Sequence, residues 1–178
     1  MKIDSLKSFL KPYSIYQNRK TTINGSFAAA VVPTAAFDKA LAVEAMALLG
    51  QASLDKLVCV YCGALAGTWD HLVPKVKQGR PHGPGHQLGN LVPCCKDCNS
   101  SKGARDWREF IALKISDSAL QADLIERLEQ YQASFVQDLD VPYQSNDALL
   151  AEYDAVRDQI LQLMLKADEI AQSLRRKS

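Results

Sequence analysis

The stretch CCKDCNSSKG, residues 94–103, decides how this chain is interpreted, because it holds three of the five cysteines within five positions. One CxxC pair, Cys95 and Cys98, cannot complete a metal site by itself. A second pair, Cys59 and Cys62 in CVYC, supplies the other two sulfurs. Four thiolates are the soft tetrahedral ligand set that suits Zn²⁺. Since sulfur fills every position, the predicted site is structural, and its binding free energy contributes to folding.

The fifth cysteine and the spacing of the two pairs distinguish this chain from a simple zinc ribbon. Cys94 has the wrong spacing for a ligand, and we interpret it as a buried thiol. The segment between the two pairs is 32 residues long, whereas a simple zinc ribbon leaves roughly 15–20. We therefore expect an insert, and we expect the insert to carry the chemistry.

Charge also concentrates in this part of the chain. The whole chain has a net charge of only +1, but residues 56–108 carry eight basic and three acidic side chains, whereas residues 109–178 are acidic. A basic segment of this kind can face a polyanion. With 47% hydrophobic residues and 23% charged residues the chain can bury a core. No stretch approaches the ~20 apolar residues of a membrane span, and reduced, clustered cysteines favour a cytoplasmic protein.

The insert begins with TWDHLVP, residues 68–74, which predicts a short strand. It continues with KVKQGRPHGPGHQLG, residues 75–89, which predicts a loop, and it ends with GNLVPCC, residues 89–95. Asp70 and Asn99 offer oxygen ligands of the kind that Mg²⁺ prefers, with waters completing the shell. His71 offers an imidazole that can take a proton from water near neutral pH. A base, a metal and basic surroundings together indicate phosphodiester hydrolysis. The alternative to catalysis is that Asp70 is an ordinary turn carboxylate and His71 an ordinary hydrogen-bonded histidine.

DHLVP followed by NLVPCCKDCNSSKG, between two CxxC pairs, resembles the zinc-containing HNH endonucleases of the ββα-metal class. The resemblance covers about residues 55–108. It implies that His71 is the general base, that Asp70 and Asn99 hold a catalytic Mg²⁺ or Mn²⁺, and that Asn90 braces the loop through backbone hydrogen bonds. Asn99 stands where the family has its final histidine. The resemblance further implies products with 3′-hydroxyl and 5′-phosphate ends.

Basic side chains flank this site on both sides, and we assign them to phosphate contacts that position the nucleic acid without reading its sequence. They are Lys75, Lys77, Arg80, Lys102, Arg105 and Arg108. His86 is placed with them, although it could equally be a solvated loop histidine, as we expect for His82. We expect Trp69 and Trp107 to lie in the core.

The sequence thus predicts an α+β protein with a ββα-metal core, a structural zinc knuckle of four cysteines and flanking helices. We divide it into an N-terminal extension with one helix (1–54), the HNH core (55–108) and a C-terminal helical region (109–178). Residues 1–34 are expected to be irregular, and residues 95–114 to form one helix. DNA is the expected partner and RNA is possible; the alternatives are a ribonuclease and a zinc-stabilised binding module without catalysis.

The C-terminal region contains an apolar stripe that repeats in steps of four and three for roughly four heptads, after a helix start that Ser145 could cap. Its residues are Leu149, Tyr153, Val156, Ile160, Leu163, Ala167, Ile170 and Leu174. We favour an intrachain hairpin in which this helix docks on residues 118–137, so that the protein is a monomer. The alternative is a homodimer formed through the C-terminal helix.

Overall fold

The computed structural model describes residues 3–139 and 146–176. The chain divides into two compact units, one formed by Met1–Phe27 with Asn146–Ser178 and the other by Ala28–Ser145. The larger unit combines helices with two short antiparallel sheets and contains the cysteines. The molecule is therefore an α+β protein, as the sequence predicts.

The centre of the larger unit is an antiparallel pair of strands, β1 (Thr68–His71) and β4 (Leu91–Cys94). The register sets Asp70 opposite Val92 and His71 opposite Leu91. Because side chains alternate along a strand, Asp70 points to the buried face while Trp69 and His71 share the other face. TWDH is thus a strand, as its residues predict.

A second, smaller ladder interrupts the segment that we expected to be a loop. Strands β2 (Val76–Lys77) and β3 (Arg80–Pro81) pair across a two-residue turn. Both turn residues, Gln78 and Gly79, have positive φ (54° and 79°). This is the backbone geometry that joins tight hairpins. The basic insert is therefore a short ribbon.

Two helices follow β4 where one was predicted. Helix α4 (Lys96–Lys102) ends at Gly103, whose φ of 54° suits glycine at the end of a helix. Helix α5 (Trp107–Lys114) starts anew because the Asp106 carboxylate accepts hydrogen bonds from two backbone amides of its first turn. The break turns the chain so that Trp107 enters the core, which is where we expected it.

The core of this unit lies between the β1–β4 pair and three helices: α3 (Lys39–Leu48), α5 and α6 (Ser118–Phe135). Leu72, Ile111 and Leu128 are fully buried there. Tyr131 of α6 is also buried, and its hydroxyl donates a 2.6 Å hydrogen bond to the backbone oxygen of Leu91. Helix α6 thereby fixes the strand that precedes the second cysteine pair.

The smaller unit contains a short helix α1 (Leu6–Phe9), most of α2 (Ile15–Val31) and α7 (Asp147–Arg176). The prediction of irregular structure before residue 34 is wrong for α2, so the N-terminal segment has more than the one expected helix. Asp168 of α7 accepts hydrogen bonds from Ser14 Oγ (2.7 Å) and from the backbone amide of Ile15 (2.7 Å). A carboxylate at a helix N-terminus satisfies otherwise unpaired amides. That cap lies 153 residues away in sequence from Ile15, so local patterns could not indicate it.

The long C-terminal helix is present as predicted, whereas its docking on residues 118–137 stays a prediction. Helix α6 belongs to the larger unit. Helix α7 belongs to the smaller unit, where it contacts α2 and the residue before it. Ser145, the expected cap, lies outside the described residues; Asn146 Oδ1 accepts from the amide of Leu149 instead. None of the described helices is both long enough and apolar enough to cross a membrane.

Candidate functional site

The four predicted zinc ligands lie together at the start of α4. The sulfur atoms of Cys59, Cys62, Cys95 and Cys98 are all within 4.8 Å of one another, and the Cys62 and Cys95 sulfurs are 3.7 Å apart. Tetrahedral zinc with Zn–S bonds of about 2.3 Å requires sulfur separations of about 3.8 Å. The cluster can therefore hold a zinc ion. Cys95 also caps α4, since its sulfur accepts from the Cys98 amide.

Cys94 is outside this cluster and completely buried. The Cys59 thiol donates to the Cys94 sulfur over 3.9 Å, and the Cys94 thiol donates to the backbone oxygen of Cys95. The contact with Cys94 is the main cause that lowers the pKa of Cys59 to about 4. The same contact raises the pKa of Cys94 above its usual range, so Cys94 stays a thiol beside the thiolate of Cys59. That thiolate is the form that binds metal.

Asp70 extends from β1 into the interior and has only 4% of its surface exposed. The Tyr61 hydroxyl donates to Asp70 Oδ2 over 2.8 Å. Lys102 Nζ lies 3.1 Å from the same oxygen. Burial together with the charge of Asp70 raises the pKa of Tyr61 above its usual range, so the phenol remains a donor. The buried carboxylate of Asp70 is thus paired with the Lys102 ammonium and hydrogen-bonded by the Tyr61 hydroxyl.

Lys102 corrects one assignment made from the sequence. Its side chain is 0% exposed, and its ammonium also donates to the backbone oxygen of His71 over 2.7 Å. A buried ammonium cannot touch a phosphate in solution, so Lys102 is not a surface contact. It instead ties α4 to β1 at the predicted site. The sequence around Lys102 is basic and helical, and this local pattern does not indicate that the side chain points inward.

Asn99 also faces β1 from α4. Its side-chain amide lies 3.5 Å from Thr68 Oγ1 and 3.4 Å from the backbone oxygen of Trp69. Among the described residues, its side-chain oxygen has no hydrogen-bond partner. The carboxylate of Asp70 and the free oxygen of Asn99 are hard donors that suit a divalent cation. The Lys102 ammonium already occupies the carboxylate, however, so an ion could use Asp70 only after Lys102 releases it.

His71 lies on the half-buried face of β1, with its Nε2 atom 3.1 Å from Nδ1 of His86. Burial lowers the pKa of His71 to about 4, and the nearby charge of Lys75 acts in the same direction. The imidazole is therefore neutral at pH 7. Among the described residues its Nδ1 atom has no hydrogen-bond partner. The ring has one nitrogen engaged by His86 and one open.

The His86 loop is held in place by the chain around it. His86 forms two backbone hydrogen bonds with the segment 33–35, from its amide to the Pro33 oxygen and from the Ala35 amide to its own oxygen. Gly85 has φ +74°, and a Cβ atom there would lie 2.2 Å from that Pro33 oxygen. Only glycine allows this approach.

Asn90 fixes the same loop from the other side. Its buried side chain accepts from the Val73 amide and donates to the backbone oxygens of Val73 and Gly85. These three bonds connect the end of β1 with the His86 loop. His71 and His86 are consequently carried by two segments that one buried asparagine links.

The remaining basic residues are more exposed. Lys77 and Arg80 are exposed on the β2–β3 ribbon, Lys75 is half-buried, and Arg105 is exposed after α4. His82, whose amide donates to the Lys75 oxygen, continues this ribbon. Arg108 is a correction, because its guanidinium forms a 2.8 Å ion pair with Glu129 and covers the Trp107 ring. It is therefore engaged within the protein.

Trp69 was expected in the core, and that expectation is wrong. It is 47% exposed and lies on the same strand face as His71, two residues away. Its neighbour across the sheet is Pro93. Strand alternation around an inward Asp70 is the signal that could have placed it outside. An exposed indole beside an imidazole is a surface on which a base can stack.

Structure and site define an α+β domain with a four-cysteine cluster that could hold zinc. It also carries a pair of imidazoles, one on β1 and one on the loop before β4. Residues 59–105 match the family model for HNH endonuclease, which includes both cysteine pairs and the residues between them. Comparisons with curated proteins and with solved structures gave no match. The resemblance to HNH endonucleases is therefore confirmed for residues 59–105. It implies a nuclease-type activity acting on a nucleic acid.

Proposed function

We propose that this protein is a zinc-stabilised HNH endonuclease that hydrolyses phosphodiester bonds in DNA, with His71 as general base. The observation that supports this most directly is the neutral His71 ring, with its Nε2 engaged by His86 and its Nδ1 open. A neutral imidazole with one free lone pair is the state required for taking a proton from water.

His86 decides which nitrogen of His71 is basic. If the Nε2–H group of His71 donates to Nδ1 of His86, the lone pair of His71 remains on Nδ1. The opposite arrangement would place the proton of His71 on Nδ1 and leave no open acceptor. We therefore assign His86 as a positioning residue for His71, rather than as the phosphate contact suggested from the sequence. Asn90 and the close approach of Gly85 to Pro33 support its position.

In the proposed reaction, Nδ1 of His71 takes a proton from water, and the resulting hydroxide attacks phosphorus in line. The bond from phosphorus to the 3′ oxygen breaks, and that oxygen takes up a proton. The products carry a 3′-hydroxyl and a 5′-phosphate. Lys102 contributes by donating a hydrogen bond to the backbone oxygen of His71, which fixes the position of this residue on β1.

Asp70 and Asn99 are the proposed ligands of a catalytic Mg²⁺ or Mn²⁺. Such an ion, when bound, neutralises charge on the phosphate and on the leaving oxygen. The oxygen donors fit this role in kind, but Asp70 must first be released by Lys102. We therefore expect ion binding and a movement of the Lys102 side chain to occur together.

The substrate is proposed to lie along the face that carries Trp69 and His71. Exposed Lys77, Arg80 and Arg105, with half-buried Lys75, supply positive charge for phosphates. Trp69 supplies an aromatic surface for an unpaired base. These contacts position a strand without reading its sequence, so we expect little sequence preference from them.

The test is nicking of supercoiled plasmid with Mg²⁺ or Mn²⁺. His71→Ala should lower the rate at least about 100-fold, the usual contribution of a general base. The matched control is His82→Ala, which removes another imidazole of the same insert and should leave the rate unchanged. Equal rates for wild type and His71→Ala would refute the proposed mechanism. A labelled RNA in the same assay would show whether the protein is instead a ribonuclease.

One observation favours a second function. Lys102 closes the carboxylate that a catalytic ion would use, as expected for a nucleic-acid-binding module whose catalytic site is idle. That function predicts DNA binding without cleavage in Mg²⁺, Mn²⁺ or other divalent ions.

A further inference from the structure

Helix α7 exposes an apolar stripe that its own unit does not cover. No residue of α7 is buried among the described residues. One side of the helix contacts α2, through the Tyr153 hydroxyl on the Phe27 backbone oxygen and through the packing of the two rings. The strip of the helix that adjoins this contact carries four apolar residues that are 47–64% exposed: Leu149, Val156, Leu163 and Ile170.

These four residues are each seven positions apart, over a helix of 30 residues. Apolar side chains at seven-residue intervals form the seam of a left-handed coiled coil. Contiguous exposed apolar surface of this kind marks an interaction site. The stripe therefore fits one more helix, lying along α7.

The polar residues beside the stripe indicate which helix this is. Glu152, Gln159 and Lys166 are also seven apart and exposed. An antiparallel second copy of α7, related by a twofold axis near Gln159, sets Glu152 of each copy near Lys166 of the other. The same operation sets Leu149 against Ile170, and Val156 against Leu163. In a parallel pair, Glu152 and Lys166 of different copies lie two heptads apart along the seam, so this attractive contact is absent.

We propose that α7 mediates an antiparallel homodimer of this chain through the stripe Leu149, Val156, Leu163 and Ile170. A twofold interface needs one patch that is complementary to itself, and both the apolar order and the charge order of α7 have this property. The dimer carries two HNH domains. The inference does not depend on the nuclease activity.

The test measures the dissociation constant of the full-length dimer by sedimentation at several protein concentrations. Glu152→Lys creates two repulsive contacts in place of two attractive ones and should raise the constant about tenfold. The double variant Glu152→Lys with Lys166→Glu exchanges the charges and should restore the wild-type value. Both positions are exposed, so circular dichroism should show unchanged helix content.

The outcomes are distinguishable. A wild-type protein that stays monomeric at all concentrations would overturn the proposal, and so would one that associates only with a different protein. A dimer that Glu152→Lys leaves unchanged would overturn the antiparallel arrangement, because that arrangement sets residue 152 of each copy near Lys166 of the other. Leu163→Glu, which places a charge in the seam, should abolish the dimer; a persisting dimer would show that another surface forms it.

Discussion

The buried pair of Asp70 and Lys102 is the residue-scale feature with the largest consequence for the site. An aspartate and a lysine with side chains 5% and 0% exposed lie 3.1 Å apart, and the Tyr61 hydroxyl completes the set. Burying two charges costs several kcal/mol, and removing one partner leaves the other uncompensated. The Lys102 ammonium therefore neutralises the carboxylate to which the family resemblance assigns a metal ion.

Replacing Lys102 by Met tests this competition. Lys102→Met keeps the length of the side chain and removes the charge, so we expect a loss of roughly 3–5 kcal/mol in unfolding free energy. Thermal melting should then show a larger stabilisation by Mn²⁺ in the variant than in the wild type, because the ion takes the freed carboxylate. The control is Lys114→Met, an exposed lysine of α5. Equal metal effects in wild type and Lys102→Met would contradict a metal role for Asp70.

The hydrogen bond between His71 and His86 gives a second residue-scale prediction. We expect His86→Ala to lower kcat about 10–100-fold with little change in KM, the usual cost of losing an orienting partner. His86→Asn should retain most of the activity, because its side-chain oxygen can accept the bond in place of Nδ1. Nitrogen NMR of the His71 ring should show the proton on Nε2 in wild type and in His86→Asn. The same loss in both variants would argue that His86 is only a packing residue.

At the scale of elements, zinc is expected to hold α4 against the hairpin. Cys98→Ser should lose the metal and the cooperative melting of the larger unit, since structural zinc supplies folding free energy. Ser100→Ala is the matched control, because this residue of the same helix is exposed and lies outside the cluster of four. The measurements are zinc content per chain and the melting profile. A Cys98→Ser protein that keeps both would show that the cluster is not a structural zinc site.

The loop that carries His86 depends on one close backbone approach. Gly85→Ala would place a methyl group 2.2 Å from the Pro33 oxygen, whereas at Gly79 an added methyl meets no atom within 4 Å. Both glycines have similar positive φ, so the conformational cost of about 1–2 kcal/mol is shared. We expect urea unfolding to show a further loss of about 1–3 kcal/mol for Gly85→Ala from the steric contact. Equal losses in the two variants would indicate that segment 33–35 does not hold the loop.

At the scale of the whole molecule, the folded structure decides which basic residues of the segment 56–108 reach the surface. The basic ribbon is exposed at Lys77 and Arg80, whereas Lys102 is buried and the exposed Arg108 is paired with Glu129. The number of phosphate contacts is therefore smaller than the count of basic residues suggests.

Salt dependence of DNA binding measures this number. Replacing Lys77 and Arg80 together by Ala should weaken binding and reduce the slope of log K against log salt by about 2, about one for each lost phosphate contact. Lys114→Ala removes one charge from α5 and should alter neither the affinity nor the slope. A slope unchanged in the double variant would place the nucleic acid elsewhere on the surface.

Features that depend only on residue type and on spacing along the chain were predictable from the sequence. Four cysteines in two CxxC pairs indicate a tetrahedral cluster whatever the fold, and TWDH indicates a short strand. The tertiary structure alone decided which way Lys102 points, that His86 meets His71, and that Asp168 caps α2 from the other end of the chain. These depend on contacts between segments far apart in sequence, whose geometry no local pattern encodes.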